Sequence, residues 1–257
     1  MPSVRRPPNM IRLPRPVFVH SEDLPEDSAS RAHAHPWGQF SWASSGTLVV
    51  RTPTSSQVAP PQRAVWVPPG MMHGVENIGR AEMRSLYIDA GVATFAPPHC
   101  RVLSVTPLTR ELIQAFSALP PQYDETGPDG RLVAVLLDQL AILPEAGFSL
   151  PWPTETRLAG VCQAIQAAPD DRRDMAAWAA SAGMTERTLG RLFLRQTGLT
   201  FGRWRRRARV LAALAVLEAG GSVTSAALEC GYEAPSAFIA AFKNAFGVTP
   251  GEYVRGR

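Results

Sequence analysis

The stretch GYEAPSAFIAAFKNAFGVTPGEY, Gly231 to Tyr253, is the second of two copies of one pattern in this chain of 257 residues. Read 49 positions upstream, its framework positions hold residues of the same kind. The matching pairs are Phe193 and Phe242, Gly198 and Gly247, Thr200 and Thr249, Gly202 and Gly251, and Trp204 and Tyr253. An internal repeat of this kind predicts that both copies adopt the same local structure.

Each copy begins with a short alanine-rich segment, 175–182 or 223–230, that ends at a glycine, Gly183 or Gly231. Glycine can adopt the positive φ that a sharp turn between two helices requires. A second segment follows in which apolar residues recur at helical spacing. Two helices joined in this way form a helix-turn-helix, whose second helix can enter the DNA major groove. A helical hairpin repeated only for packing is the alternative, which the arginine-rich segment between the copies makes less favoured.

Charge is distributed unevenly along the chain. Residues 154–257 carry 14 Arg or Lys against 9 Asp or Glu, whereas residues 1–153 carry 12 against 13. The basic half is therefore the half that contains the repeat, as expected for a nucleic-acid partner. No window approaches the roughly 18 apolar residues of a membrane span, and the N-terminus lacks the apolar region of a signal peptide. We expect a cytoplasmic protein with no membrane partner. Its three cysteines are too scattered for a disulfide framework.

Composition divides the chain into five predicted segments. Residues 1–30, rich in proline, predict an extended or mobile arm, and the short Val-, Trp- and Thr-rich runs of 31–105 predict an antiparallel all-β barrel. Residues 106–143 predict two helices, 106–119 and 131–143, and the second is apolar enough to need a dimer partner. A Pro/Gly linker spans 144–153. Residues 154–257 predict an all-α domain with helix N-caps at Thr154, Asp174, Thr185, Thr200, Ser222 and Thr249.

The final hundred residues resemble the DNA-binding domain of the AraC/XylS family of bacterial transcription regulators. The resemblance is carried by Gly231 and Tyr232, the S-x-F-x-x-x-F-K run from Ser236 to Lys243, and the G-x-T-P of Gly247 to Pro250. It implies base contacts by Arg187, Gly190 and Arg191 in the first copy and by Ser236, Ile239 and Ala240 in the second. Two arginines one turn apart suit guanines, whereas the largely apolar second set suits thymine methyl groups.

Phosphate contacts are predicted at four basic residues, Arg195, Arg205, Arg206 and Lys243. Arg205 and Arg206 belong to RWRRRAR, 203–209, at the start of a predicted helix over 200–219. A helix of that length spans roughly 30 Å, close to the ~34 Å of one B-DNA turn. It could place the two recognition helices in successive segments of the major groove. A solvated charged face is the alternative.

Three of the five histidines form two short motifs in the first half, HAHPWGQ at 33–39 and PPGMMHGVEN at 68–77. His33 and His35 alternate, so both point to one side, and a second hairpin could bring His73 beside them. Three imidazoles with an oxygen donor such as Gln39 suit a divalent transition metal. The second motif also resembles the cupin superfamily, and in the first motif Gln39 replaces the glutamate usual in that superfamily.

The predicted metal ligands are therefore His33, His35, Gln39 and His73, and the predicted effector-binding residues are the same four with Trp66. Two hypotheses follow. The first is a regulator, not an enzyme, in which a small effector or metal in the barrel modulates binding to double-stranded promoter DNA; RNA polymerase and a second copy of the chain are its expected partners. The second is a cupin metalloenzyme, an isomerase or dioxygenase, whose helical C-terminal domain serves assembly.

Overall fold

The computed structural model describes residues 4–5, 10–26, 28–93, 96–146 and 148–255. The chain divides into two compact units, Met1–Thr52 with Gln57–Gly147 and Pro53–Ser56 with Phe148–Arg257. The division after residue 147 falls inside the predicted linker. Among the described residues, every helix is too short or too polar to cross a membrane.

The first unit is built on a mostly antiparallel sheet. Its strands are β1 (Val4–Arg5), β2 (Val17–Leu24), β3 (Ala29–Ser30), β4 (Gly38–Arg51), β5 (Ser55–Ala59, of which the first two residues are assigned to the second unit), β6 (Arg63–Val67), β7 (Gly74–Ile88) and β8 (Arg101–Ser104). The long strands β4 and β7 pair along most of their length, and the register shifts between Ala43 and Thr47. Gly46 has φ 75° at that irregularity, which bends the pair as a β-bulge does. One half of the pair lies beside β2 and β6, and the other half lies beside β3 and β5. The strand β8 pairs with β6.

Two apolar cores lie on the two faces of this sheet. The inner core joins both halves of the bent strands, including Leu48, Val65 and Met83. The outer core packs Phe40, Trp66 and other side chains against two helices, α1 (Pro107–Ser117) and α2 (Pro128–Ala141). These helices lie where the sequence predicted them, with ends shifted by up to three residues.

The prediction of a separate arm over residues 1–30 is wrong for the segment that forms β2. Val17 to Leu24 pair residue by residue with Ile88 to Ala81 of β7, and Val17 and Leu24 are buried in the cores. The strand lies within a proline-rich segment, and its partner residues are 57 to 71 positions away in the sequence. Local composition therefore does not predict this pairing. Residues 1–3, 6–9 and 27 of the predicted arm lie outside the described residues.

The second unit is helical after a short strand, β9 (Ser149–Pro151). Its helices are α3 (Thr156–Ala167), α4 (Met175–Ser181), α5 (Glu186–Thr197), α6 (Phe201–Glu218), α7 (Val223–Glu229), α8 (Pro235–Phe246) and α9 (Pro250–Arg255). The N-caps predicted at Asp174, Thr185, Thr200 and Ser222 are confirmed, since each side chain accepts a hydrogen bond from the first turn of its helix. The prediction at Thr154 is wrong. Glu155 caps α3 because its carboxylate accepts from the backbone N–H of Leu158.

The repeat is a structural repeat in the second unit. Gly198 and Gly247 end α5 and α8 in the left-handed region, at φ 68° and 82°. Phe193 contacts Trp204 and Phe242 contacts Tyr253, with ring centroids 5.7 Å apart in each pair. Each copy thus packs its second helix on the aromatic residue of the following helix. Gly183 and Gly231 turn the chain at φ 64° and 75°, as predicted.

Candidate functional sites

The second helix of the first copy, α5, presents a basic exposed face. Leu189 and Phe193 are fully buried, so the side chains on the other side of α5 face solvent. Arg187, Arg191 and Arg195 are all exposed on that side. They recur every fourth residue, and none forms an ion pair or hydrogen bond with another described residue. Three free guanidinium groups along one face are suited to bases and phosphates.

Two other residues of α5 modify this face. Gly190 is half-buried, and a Cβ placed there would lie 2.9 Å from Cε of Met175 on α4. The lack of a side chain at Gly190 therefore allows α4 and α5 to approach closely. Leu194 is 51% exposed beside the arginines and could contact a thymine methyl group. Leu194 was not among the residues predicted from the sequence, although it lies one helical turn after Arg191.

The second helix of the second copy, α8, has a nearly neutral exposed face. Ser236, Ile239, Ala240 and Lys243 are exposed, while Phe238, Phe242 and Phe246 are buried. The four predicted DNA contacts on α8 therefore share the side of the helix that faces away from the core. Lys243 is the cationic side chain on this face.

Some arginines of α6 are hydrogen-bonded to backbone carbonyls of the same unit, and others are exposed to solvent. Arg205 donates to the carbonyl of Arg173 at 2.7 Å and Arg207 to that of Ser149 at 2.7 Å. One guanidinium nitrogen of Arg205 therefore holds the segment before α4, and its phosphate contact stays a prediction. Burial lowers the pKa of Arg205, and neighbouring Arg209 adds to that effect. Arg206 is exposed, as is Arg203, which the sequence reasoning did not single out.

Arg209 holds parts of both copies together. Its guanidinium donates to the carbonyls of Pro169 and Asp171, 2.8 and 3.0 Å away, and to that of Gly231, 3.3 Å away. The first two precede α4 and the third lies in the turn after α7. Arg209 therefore stabilises the arrangement of the two helix-turn-helix motifs.

In the first unit, the predicted histidines come together. We call His33, His35 and His73 the histidine cluster; their potential ligand atoms lie within 4.8 Å of one another. His33 and His73 form an isolated antiparallel bridge between their segments, with backbone hydrogen bonds of 2.8 and 2.9 Å. The pairing predicted from the two motifs is thus present, although His33 lies in a short bridge and not within a long strand.

Gln39 completes the histidine cluster from β4. Its Oε1 lies 2.9 Å from Nε2 of His35 and 3.1 Å from Nε2 of His73. Its Nε2 donates to Oγ of Ser41 at 2.7 Å, and Ser85 lies 3.4 Å beyond. The potential donors are therefore three imidazoles and one amide oxygen. Buried serine hydroxyl groups hold the amide in place.

Two imidazoles of the cluster, those of His35 and His73, are biased toward their neutral forms. Burial lowers the pKa of His73 to about 4, and the nearby His33 and His35 contribute to the decrease. Burial also lowers the pKa of His35, against the opposing effect of its hydrogen bond with Gln39. Neutral imidazole is the form that binds metal ions.

The prediction of Trp66 at this site is wrong. Trp66 pairs with Phe40, and Phe40 also pairs with Leu86, so their side chains share the outer face of the sheet. Gln39 points to the inner face, because side chains alternate along a strand. The aromatic wall consists instead of Trp37, stacked on His35 at 5.0 Å, and Tyr87, whose ring lies 5.6 Å from that of His35. Only the strand register brings Tyr87 here, opposite Gln39.

Comparison with known proteins agrees with this division. A model of the AraC-like ligand binding domain matches residues 16–142, and a helix-turn-helix domain model matches residues 178–256. The HTH-type transcriptional regulator NimR of Escherichia coli strain K12 is 31% identical over 229 residues, covering 89% of this chain and 84% of NimR.

Two solved structures are also similar. ToxT from Vibrio cholerae covers 94% of this chain and 99% of its own, with 8% identity and a TM-score of 0.41. The second is the DNA-binding domain of AdpA in complex with a target DNA. The match covers 39% of this chain and 92% of the AdpA chain, with 31% identity and a TM-score of 0.37. From its two domain matches and its similarity to NimR along most of both chains, this protein belongs to the AraC family of DNA-binding transcription regulators, with an N-terminal ligand-binding domain.

Proposed function

We propose that this regulator recognises its promoter mainly through α5, with Arg187 and Arg191 in contact with bases and Gly190 allowing close approach. The supporting observation is the row of exposed, unpaired arginines opposite the buried Leu189 and Phe193. A guanidinium can donate two hydrogen bonds to O6 and N7 of guanine, so each arginine can select one base pair.

The second copy makes a weaker contribution to sequence selection in this proposal. Ser236, Ile239 and Ala240 would contact bases through small or apolar surfaces, which suit thymine methyl groups. Arg195, Arg206 and Lys243 would contact phosphates, together with the free Arg203. Because α6 has 18 residues, it is about 27 Å long, which is comparable to the ~34 Å spacing of successive major-groove segments.

The ligand-binding domain would control this DNA binding from the histidine cluster. A ligand that binds one conformation of the regulator more tightly increases the population of that conformation. We propose His33, His35, Gln39 and His73 as the residues that receive the effector or metal, with Trp37 and Tyr87 beside them. This shift in population would change the affinity of the regulator for DNA or its contact with RNA polymerase. We propose that it acts in the cytoplasm, where the promoter lies.

A second copy of the chain is the proposed partner of α1 and α2. Leu108 on α1, Val135 on α2 and Ile142 just after α2 expose 53%, 45% and 71% of their surface. Apolar side chains on neighbouring helices gain free energy when a partner covers them. A homodimer would also present two DNA-binding domains to paired promoter sites.

A cupin metalloenzyme is the second candidate function, and the three clustered imidazoles are the observation that favours it. Membership of a transcription-regulator family supports the non-enzymatic function. A turnover screen on metal-loaded protein, with isomerase and dioxygenase substrates, separates the two. Activity that is lost in His73→Ala and retained in Arg191→Ala would support the enzyme.

The test of DNA reading is Arg191→Ala, measured by fluorescence anisotropy on a fragment that the wild-type protein selects from its source genome. We expect a loss of about 1 to 3 kcal/mol on that fragment and relaxed selectivity at one base pair. Salt must be held constant, because phosphate contacts make the affinity steeply salt-dependent.

Arg172→Ala is the matched control, because Arg172 is exposed but lies outside α5. It should leave the selectivity unchanged. An equal loss for Arg191→Ala on every DNA sequence would show that Arg191 contacts only phosphate and would contradict the proposal.

A further inference from the structure

We propose that residues 148–155, which we call the strap, position the recognition helices α5 and α8 relative to each other and so set the spacing of the DNA segments that the two helices can contact. The inference rests on the proposed contact of both helices with bases, and it adds residues that lie outside them. Most of the strap belongs to the stretch that composition predicts to be a linker. Its first residue, Phe148, begins the long segment of the second unit.

The strap contacts α8 through this first residue. The ring centroid of Phe148 lies 4.9 Å from that of Phe246, the last residue of α8. Phe246 in turn lies 4.7 Å from Phe242, and Phe242 lies 5.6 Å from Phe238. Aromatic pairs at such distances contribute more than the apolar area that they bury. Phe148 therefore extends the row of buried rings that holds α8, and it does so at the C-terminal end of the helix.

The strap contacts α5 through its last two residues. Oε1 of Gln196 accepts hydrogen bonds from the backbone N–H of Thr154 at 3.0 Å and from that of Glu155 at 3.1 Å. The hydroxyl group of Thr154 lies 3.4 Å from the same oxygen. Gln196 is half-buried one turn after Phe193, near the C-terminal end of α5. Its amide thus joins the end of α5 to the start of α3.

Between its two ends the strap is bound to α6. Nε1 of Trp204 donates to the carbonyl of Pro151 at 2.6 Å, and Nη1 of Arg207 donates to that of Ser149 at 2.7 Å. The ring centroid of Trp152 lies 5.9 Å from that of Trp204. Because Trp204 and Arg207 are one turn apart, the backbone of the strap follows this part of α6.

The composition of the strap makes it stiff. Its sequence is FSLPWPTE, and the rings of Pro151 and Pro153 fix φ and disfavour helical conformations of the residues before them. Ser149–Pro151 is the strand β9. A stiff, extended segment that is held at its middle transmits a constraint between its ends, whereas a flexible segment does not. The strap therefore restrains the C-terminal ends of α5 and α8 together.

Joint restraint of these two ends has a consequence for DNA binding. The proposed base contacts, including Arg187 and Arg191 on α5 and Ser236 and Ile239 on α8, lie in the first half of each helix. A rotation of either helix at its restrained end would displace them. One base pair inserted between the two DNA segments moves the second segment by about 3.4 Å and by about a tenth of a turn. Helices held at one spacing fit such DNA less well.

The experiment measures the affinity of the full chain for two DNA probes by fluorescence anisotropy at one salt concentration. The first probe is the fragment that the wild type selects. The second carries one extra base pair midway between the segments contacted by α5 and α8, which footprinting locates. The ratio of the two affinities is the spacing preference. Gln196→Ala should lower this ratio at least about fivefold, the lower end of the range for coupling between two sites. Phe148→Ala should lower it similarly through the other helix.

Ser149→Ala is the matched control inside the strap. Ser149 contacts Arg207 through its carbonyl, which alanine retains, so the spacing preference should equal that of the wild type. Gln196→Glu tests the hydrogen bonds themselves, because a carboxylate accepts from the same N–H groups. It should keep the spacing preference of the wild type, while its added negative charge lowers the affinity for both probes alike.

A loss of folded protein lowers the apparent affinity for both probes by the same factor, so it leaves the spacing preference unchanged. An unchanged spacing preference in Gln196→Ala would therefore show that the strap only stabilises the second unit, and it would overturn the proposal. A wild type that binds both probes equally would overturn it as well. If Phe148→Ala does not fold, Gln196→Ala decides, because its side chain is only half-buried.

Base selectivity, measured on the same probes, separates failure of this inference from failure of the proposed function. An unchanged spacing preference in Gln196→Ala, together with relaxed selectivity in Arg191→Ala, would contradict the role of the strap and support the reading of bases by α5. A lowered spacing preference in Gln196→Ala, together with unchanged selectivity in Arg191→Ala, would support the strap and contradict that reading.

Discussion

The two recognition helices share one framework and present different surfaces. The buried Phe193 and Phe242, the left-handed glycine caps and the following threonine N-caps recur in the two copies at a spacing of 49 residues. Their exposed faces do not coincide, since α5 presents Arg187, Arg191 and Arg195 where α8 presents Ser236, Ala240 and Asn244. The framework is alike because each helix packs a buried phenylalanine against an aromatic residue of the following helix. Side chains that contact only solvent or DNA are not constrained by this packing and can differ.

The second copy carries the motifs of the family resemblance, whereas we propose that the first copy provides most of the DNA selectivity. The second copy carries the more regular motif, yet its exposed surface has few groups that distinguish one base pair from another. The first copy is less regular and holds the guanidinium groups. Stability measurements should therefore show similar behaviour of the two copies, and DNA-binding measurements should show different behaviour.

The largest expected effect is on the shared framework. Trp204 is fully buried against Phe193, and its Nε1 donates to the carbonyl of Pro151 at 2.6 Å. Trp204→Ala should lower the free energy of unfolding by about 3 to 5 kcal/mol because of the cavity it leaves, as measured by urea denaturation. Tyr253→Ala, the equivalent change in the second copy, should cost a similar amount. A much smaller loss at Tyr253 would show that the repeat is not energetically symmetric.

A smaller effect is expected at the two turn glycines. At Gly183, φ is 64° and the space around a new Cβ is open, so Gly183→Ala should destabilise by about 1 to 2 kcal/mol through backbone strain alone. At Gly231, the same Cβ would lie 2.9 Å from Cα of Asp170 and close to Arg209. Gly231→Ala should therefore lower the melting temperature more than Gly183→Ala. Equal decreases would show that the contacts with Asp170 and Arg209 adjust without cost.

The smallest effects are expected on the exposed face of α8. Ile239→Ala should reduce affinity by less than about 1 kcal/mol, and only for DNA with a thymine at the contacted position. Lys243→Ala should weaken binding on every sequence and reduce the slope of affinity against salt by about 1. Anisotropy titrations at several salt concentrations measure both. A loss for Ile239→Ala as large as that for Arg191→Ala would reverse the proposed division between the copies.

Local patterns predicted most of the helical unit correctly. The caps at Asp174, Thr185, Thr200 and Ser222 and the glycine turns were predicted because a cap depends on residues within one turn of the chain. The exception is Thr154. Glu155, one residue later, caps the helix by accepting from the N–H of Leu158, and single-residue boundaries of this kind are not determined by residue type alone.

The first unit was predicted less completely because its contacts are distant in sequence. The histidine cluster was predicted from two motifs, since alternation on a strand and one hairpin suffice to bring three imidazoles together. Trp66 was assigned to the wrong face, and Tyr87 was missed. Both errors have one cause, because the face on which a strand residue lies depends on register and a shift of one residue reverses it.

By itself, the sequence determined the repeat, the family to which the protein belongs, the basic character of α5 and the residues of the histidine cluster. These features follow from residue type and from spacing within a few turns or one hairpin. The tertiary structure alone decided that residues 17–24 form a strand, that Arg205 and Arg209 hold the backbone, and that Gln39 faces two imidazoles with its oxygen. Each of these depends on which distant groups a side chain or strand can reach, and the folded chain alone sets those distances.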